Sequence, residues 1–126
     1  MSTAVTIAAD FCAAILIMEF VLHGIAMLTG MDGAVKPLTD HLGFPPGRPL
    51  GIAIGLLDAA ATAALIIGFG SHGAGAAGAA YAVLYFGVMM ALRFRRKLGT
   101  LLQPPDFPLF LTLGVILLVI RLAQMA

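Results

Sequence analysis

Glu19 and Asp58 are carboxylic acids placed near the middle of long apolar segments. A charge at bilayer depth costs at least a few kcal/mol, so such residues are rare and usually mark function. Two carboxyls close together in a low dielectric cannot both ionise cheaply, which predicts that one keeps its proton. A protonated acid in an apolar cavity can serve acid–base work or hold a quinone or another carbonyl compound. His23 stands one helical turn after Glu19 on the same face and could relay protons to it or hydrogen-bond it. Glu19, Asp58 and His23 are therefore the candidate catalytic residues.

Two further groups share that depth. Thr62 lies four residues after Asp58, where its hydroxyl could reach the carboxyl. Tyr85 lies near the middle of the third apolar segment. Both are candidates for holding a ligand. The alternative is that Glu19, His23, Asp58 and Tyr85 form a satisfied network that only fixes helix packing. A metal site made by Glu19, His23 and Asp58 is allowed by residue type, but the spacing between Glu19 and His23 is a weak signal, and no metal is assigned.

The composition says what must position these groups. The chain has 126 residues, 61% hydrophobic and 10% charged, with a mean hydropathy of +1.06. Soluble domains carry roughly 25% charged residues, so this chain belongs in a bilayer. A net charge of +1 gives no basis for a nucleic-acid partner. The single cysteine, Cys12, excludes an intrachain disulfide, a CxxC redox pair or a cysteine-rich metal site. The N-terminus lacks a basic leader region and enters a full apolar segment, so no cleavable signal peptide is expected.

A spanning helix needs about 20 mainly apolar residues. Four segments qualify, at about 4–28, 50–69, 73–92 and 108–125, within a single transmembrane domain covering 1–126. The expected fold is all-α: an integral membrane four-helix bundle of two antiparallel hairpins. Lys36, Arg48, Arg93, Arg95, Arg96 and Lys97 fall in the two longer loops, which share one side; only Arg121 lies towards the other. Cytoplasmic loops hold the basic excess, which places both termini outside the cytoplasm. Asp10 and Arg121 sit towards that outer side in the first and last segments. An ion pair between them is expected, with Arg121 snorkelling to the surface as the alternative.

Two PPxxP runs, Pro45 to Pro49 and Pro104 to Pro108, precede the second and fourth segments. Proline suits a helix start; a duplicated hairpin is the other reading. Small residues at four-residue spacing, Gly51, Gly55, Ala59 and Ala63 in the second segment and Ala74, Gly78 and Ala82 in the third, predict close packing of those two helices.

The stretch from Phe20 to Leu28, the loop ending near Leu42-Gly43-Phe44-Pro45, and the run from Ile54 to Asp58 followed by Leu65 to Gly70 resemble the DoxX/DoxX-like family. The likeness extends over nearly the whole chain. Asp58 fills the place of an acidic residue typical of that family, whereas Ala26-Met27 stands where a lysine is common. The resemblance implies a small four-helix protein of a prokaryotic cytoplasmic membrane, in some members a subunit of a quinone-linked thiosulfate oxidoreductase. A lipophilic, quinone-like ligand and a redox partner protein are the expectations that follow, with self-association left open. Two alternatives stand beside it. One is a membrane isomerase, cyclase or hydrolase using Glu19 and Asp58 as acid and base on a terpenoid-like substrate. The other is a purely structural subunit.

Overall fold

A computed structural model describes residues 2–40, 43–44, 47–95 and 106–126. Among these the chain is helical, with no strand: α1 (Thr3–Thr29), α2 (Asp32–Asp40), α3 (Arg48–Ile67), α4 (His72–Arg95) and α5 (Asp106–Met125). α1, α3, α4 and most of α5 are each long and apolar enough to cross a membrane. The protein is thus a multi-pass integral membrane protein, an all-α bundle of four spanning helices. The outward faces are apolar. On α1 they carry Ile7, Phe11, Met18, Leu22 and Ile25, side chains that suit lipid.

Each spanning helix runs antiparallel to the one before it. α1 packs on α3, α3 on α4, α4 on α5, and α5 closes the ring on α1. The bundle interior is filled by Leu16 and Phe20 of α1, Leu65 of α3, Ala79, Ala82 and Phe86 of α4, and Leu117 of α5. A second cluster, Met27, Leu38, Ile54 and Met89, lies nearer the end that carries α2.

α2 lies in the first long loop, where the sequence offers no spanning segment. Its nine residues mix Asp32, Lys36 and Asp40 with Ala34, Val35 and Leu38. That polar and apolar mixture suits a helix lying at the interface and covering the bundle end. Gly30 ends α1 in the left-handed region (φ 71°), and its amide returns to the Ala26 and Met27 carbonyls. A Cβ at Gly30 would run into the Arg48 guanidinium. Arg48, the first residue of α3, donates to the Leu28 carbonyl at 2.6 Å. A cation on the open carbonyls of a helix C-terminus is favourable, and here it ties α1 to α3.

The small-residue ridge of α3 packs differently from expectation. Gly51 and Gly55 face α1: added Cβ atoms would meet the Met27 carbonyl at 3.3 Å and the Leu28 side chain at 2.6 Å. Ala59 and Ala63 are exposed. α3 meets α4 through Leu65 against Gly78 and Gly68 against Gly75. Periodicity marks a close-packing stripe without naming its partner. The first two prolines of each PPxxP run, Pro45 and Pro46 and then Pro104 and Pro105, lie outside the described residues. Pro49 stands in the first turn of α3 and Pro108 in that of α5.

Candidate functional site

Helix geometry brings four polar side chains from three helices together inside the bundle. His23 is on α1, one turn before the helix reaches Met27. Asp58 is midway along α3. Tyr81 and Tyr85 are one turn apart on the same face of α4. The close approach of α1 and α3 rests on Gly24 and Gly55. A Cβ at Gly24 would sit 3.2 Å from the Asp58 Cβ, and one at Gly55 would lie 3.2 Å from the Gly24 carbonyl. Small residues at these positions let the two backbones come this near.

Asp58 is fully buried. Its Oδ2 lies 2.6 Å from His23 Nδ1, and its Oδ1 accepts a hydrogen bond from the Tyr81 hydroxyl at 2.8 Å. The Tyr85 hydroxyl lies 3.0 Å from the other imidazole nitrogen, His23 Nε2. The four groups form one chain: Tyr85, His23, Asp58, Tyr81. With Asp58 ionised and accepting from both sides, Nδ1 carries the imidazole hydrogen and Nε2 accepts from the Tyr85 hydroxyl. A buried carboxylate is tolerable only when its lone pairs are satisfied, and both oxygens here have donors.

Aromatic rings pack around this chain. The Tyr81 and Tyr85 rings stack with centroids 6.0 Å apart. Tyr85 meets His23 and Phe86 edge-on, and Phe20 packs on Tyr81 at 5.3 Å. The polar line is fixed in an apolar sleeve.

One end of the chain opens on a cavity of about 270 Å³. His23 and Tyr85 form part of its wall, with Met27, Met89 and Phe107. Gly33, Ala34, Pro37 and Leu38 of α2 cover it, and Arg93 of α4 lines it as well. The Arg93 guanidinium stands over the Phe107 ring, 5.7 Å from its centroid. The cavity therefore has apolar walls, a few convergent polar groups and a cation, the character of a small-molecule site.

The candidate residues fall out as follows. His23, Asp58 and Tyr85 come together in one hydrogen-bonded chain. Asp58 stands behind His23 and is not part of the cavity wall. Glu19 is half-buried, within electrostatic reach of the Tyr85 hydroxyl. The partner of Asp58 across the α1–α3 contact is His23, one turn beyond Glu19, so the expected pair of facing carboxyls is replaced by a carboxylate and an imidazole. Among the described residues no three His, Cys, Asp or Glu side chains converge as metal ligands would. The Thr62 hydroxyl donates to the Asp58 backbone carbonyl at 2.8 Å, not to its carboxyl. That back-bond one turn up its own helix is the ordinary alternative for a helical threonine. Thr62 instead borders a lipid-side groove with Phe20, Gly24 and Gly55.

Tyr81 was not among the expected site residues. The signal lay in its spacing: one turn before Tyr85, it had to share that face of α4. The contribution of α2 had no such signal, because coverage of a cavity by a loop helix is a tertiary fact.

At the opposite end of the bundle the expected ion pair forms. Arg121, only 2% exposed, donates from Nη2 to Asp10 Oδ1 at 3.0 Å. Its Nη1 donates to Gln124 Oε1 at 3.0 Å, and Gln124 Nε2 reaches the Thr6 hydroxyl at 3.4 Å. This cluster ties α5 to α1 and is separate from the His23–Asp58 chain.

No family model matches the chain, and neither the curated proteins nor the solved structures contain a match to it.

Proposed function

We propose that this is a DoxX-like membrane protein that binds a lipophilic, oxygen-bearing ring compound of the quinone type in the cavity beneath α2, as an accessory to a redox partner. One observation carries the reading: a Tyr85–His23–Asp58–Tyr81 chain, with Asp58 fully buried in its middle, ends at the wall of an apolar cavity. Tyr85 is the contact residue in this reading. His23 takes or gives the proton, and Asp58 with Tyr81 orients the imidazole and offsets its charge. A cavity of roughly 150 Å³ accepts benzene, so about 270 Å³ admits a substituted ring. A long isoprenoid tail would lie outside it, among the lipids. The resemblance of residues 20–28 and 54–58 to DoxX-like proteins supports the same ligand class. The basic excess in the loops supports an orientation with both termini outside the cytoplasm.

The acid–base enzyme reading keeps the same cavity but changes the residues that touch substrate. Tyr85 and His23 are at the wall, and Asp58 acts only through His23. A packing-only network is the remaining reading, favoured by the full satisfaction of both Asp58 oxygens.

Mass spectrometry of lipophilic molecules retained after purification in mild detergent separates these readings. A quinone-type molecule is expected with the wild-type protein, and at least about tenfold less with Tyr85→Phe, which loses the only hydroxyl that the described residues bring to the wall. Tyr81→Phe should keep the ligand and lose about 1 kcal/mol of stability, the net worth of one hydrogen bond. Equal retention in both variants would leave the packing-only reading standing.

A further inference from the structure

We infer that the proton count of the His23–Asp58 pair decides whether the cavity beneath α2 offers a hydrogen-bond donor to a ligand carbonyl, while a ligand hydroxyl, which donates and accepts, is bonded in either state. This rests on the ligand-binding reading above and specifies how that site selects. Tyr85 couples the pair to the cavity, because its single hydroxyl hydrogen can point to only one place. When the pair holds one proton, that proton lies on the 2.6 Å line between His23 Nδ1 and Asp58 Oδ2, and Nε2 is bare. The Tyr85 hydroxyl then donates across its 3.0 Å contact to Nε2, and only an oxygen lone pair is left to face the cavity. A ligand hydroxyl can donate to that lone pair; a ligand carbonyl finds no donor there.

A second proton on the pair reverses the line. Whether the extra proton is counted on the imidazole or on the carboxyl, Nε2 now carries a hydrogen. Nε2–H donates to the Tyr85 oxygen, and the tyrosyl hydrogen turns into the cavity, where a carbonyl accepts it. Tyr81 does not compete, since its hydroxyl is committed to Asp58 Oδ1. Binding a carbonyl ligand therefore takes up one proton, and binding a hydroxyl ligand takes up none. By linkage, acidity must favour the carbonyl form to the same extent that the carbonyl form favours proton uptake.

Among the described residues, the groups that can bias this balance are few. Glu19 of α1 is within electrostatic reach of Tyr85, and Arg93 of α4 lines the cavity. The residues that α2 and α5 contribute to the wall, Gly33, Ala34, Pro37, Leu38 and Phe107, do not titrate.

The test uses two probes that are not oxidised or reduced: 4-decylphenol, a hydroxyl donor, and 4-decylcyclohexanone, an acceptor only. Their binding to the full-length protein in lipid nanodiscs is measured from about pH 5 to about pH 9. The affinity ratio of ketone to phenol should rise about tenfold towards acid, the worth of one well-made hydrogen bond. Calorimetry in two buffers of different ionisation enthalpy should register proton uptake with the ketone and none with the phenol. In His23→Gln the ratio should be flat with pH. Binding of both probes with a constant ratio in the wild-type protein would overturn the inference and leave the cavity reading intact. Binding of neither would remove the cavity reading and the inference with it.

Discussion

His23 and Asp58 meet at 2.6 Å across the α1–α3 contact, at a point where the neighbouring residue of α1 is glycine. The imidazole is partly accessible, whereas the carboxyl has no exposed surface. The acid therefore acts on anything in the cavity only through the imidazole. Asp58 is a positioning residue, and the members of the line that reach the cavity wall are His23 and Tyr85.

Asp58→Ala should be among the most damaging single changes in the chain. It removes the acceptor for two part-buried donors at once, and each hydrogen bond to a charged group is worth about 1.5–3 kcal/mol. Asp58→Asn keeps the shape and one acceptor oxygen, so it should fold while losing the imidazole tautomer and at least tenfold in ligand affinity. Thermal unfolding in detergent, read beside ligand retention, separates the two effects. Wild-type retention in a folded Asp58→Asn protein would remove Asp58 from the functional line.

Gly24 should tolerate only a small side chain. Alanine there would place its Cβ 3.2 Å from the Asp58 Cβ, a contact that a few tenths of an ångström relieve. Leucine would force α1 and α3 apart, at a cost of about 1–3 kcal/mol typical of overpacking. The His23–Asp58 hydrogen bond should lengthen with it. Loss of the downfield imidazole N–H proton resonance in Gly24→Leu, with Gly24→Ala unchanged, is the expected observation. Equal spectra in both would show that this glycine does not set the spacing.

Asp10 and Arg121 should be coupled. Asp10 is about half exposed, so the pair is weaker than a buried one, but Arg121 is almost fully enclosed. Asp10→Asn and Arg121→Gln should each lower the melting temperature, and the double change should cost less than their sum. The coupling expected for such contacting residues is about 1 kcal/mol. Strict additivity would mean that the pair contributes nothing.

Both termini should face away from the cytoplasm. Cysteine placed at Ser2 or Ala126 in a Cys12→Ala background should react with an impermeant maleimide added outside intact cells. Cysteine at Lys36, on the surface helix α2, should react only after the cells are opened. The reverse pattern would invert the topology and place the cavity at the outer side.

The four spans, their antiparallel order and the depth of the polar groups were legible in the sequence. These follow from local quantities: the length of an apolar run, the placement of basic residues and a rise of about 1.5 Å per residue. The Asp10–Arg121 pair was legible for the same reason, because opposite charges at equal depth in lipid have few other partners. Depth, however, leaves rotation about each helix axis free. That rotation, set by Gly24 against Gly55 and Leu65 against Gly78, decided that His23 and not Glu19 meets Asp58. It also turned Tyr81 towards the same carboxylate and Thr62 towards the lipid-side groove. The cavity itself, closed by α2 and bordered by Arg93 and Phe107, arises where three spanning helices and a surface helix leave space between them. No single stretch of sequence encodes a volume of that kind, so only the tertiary structure could disclose it.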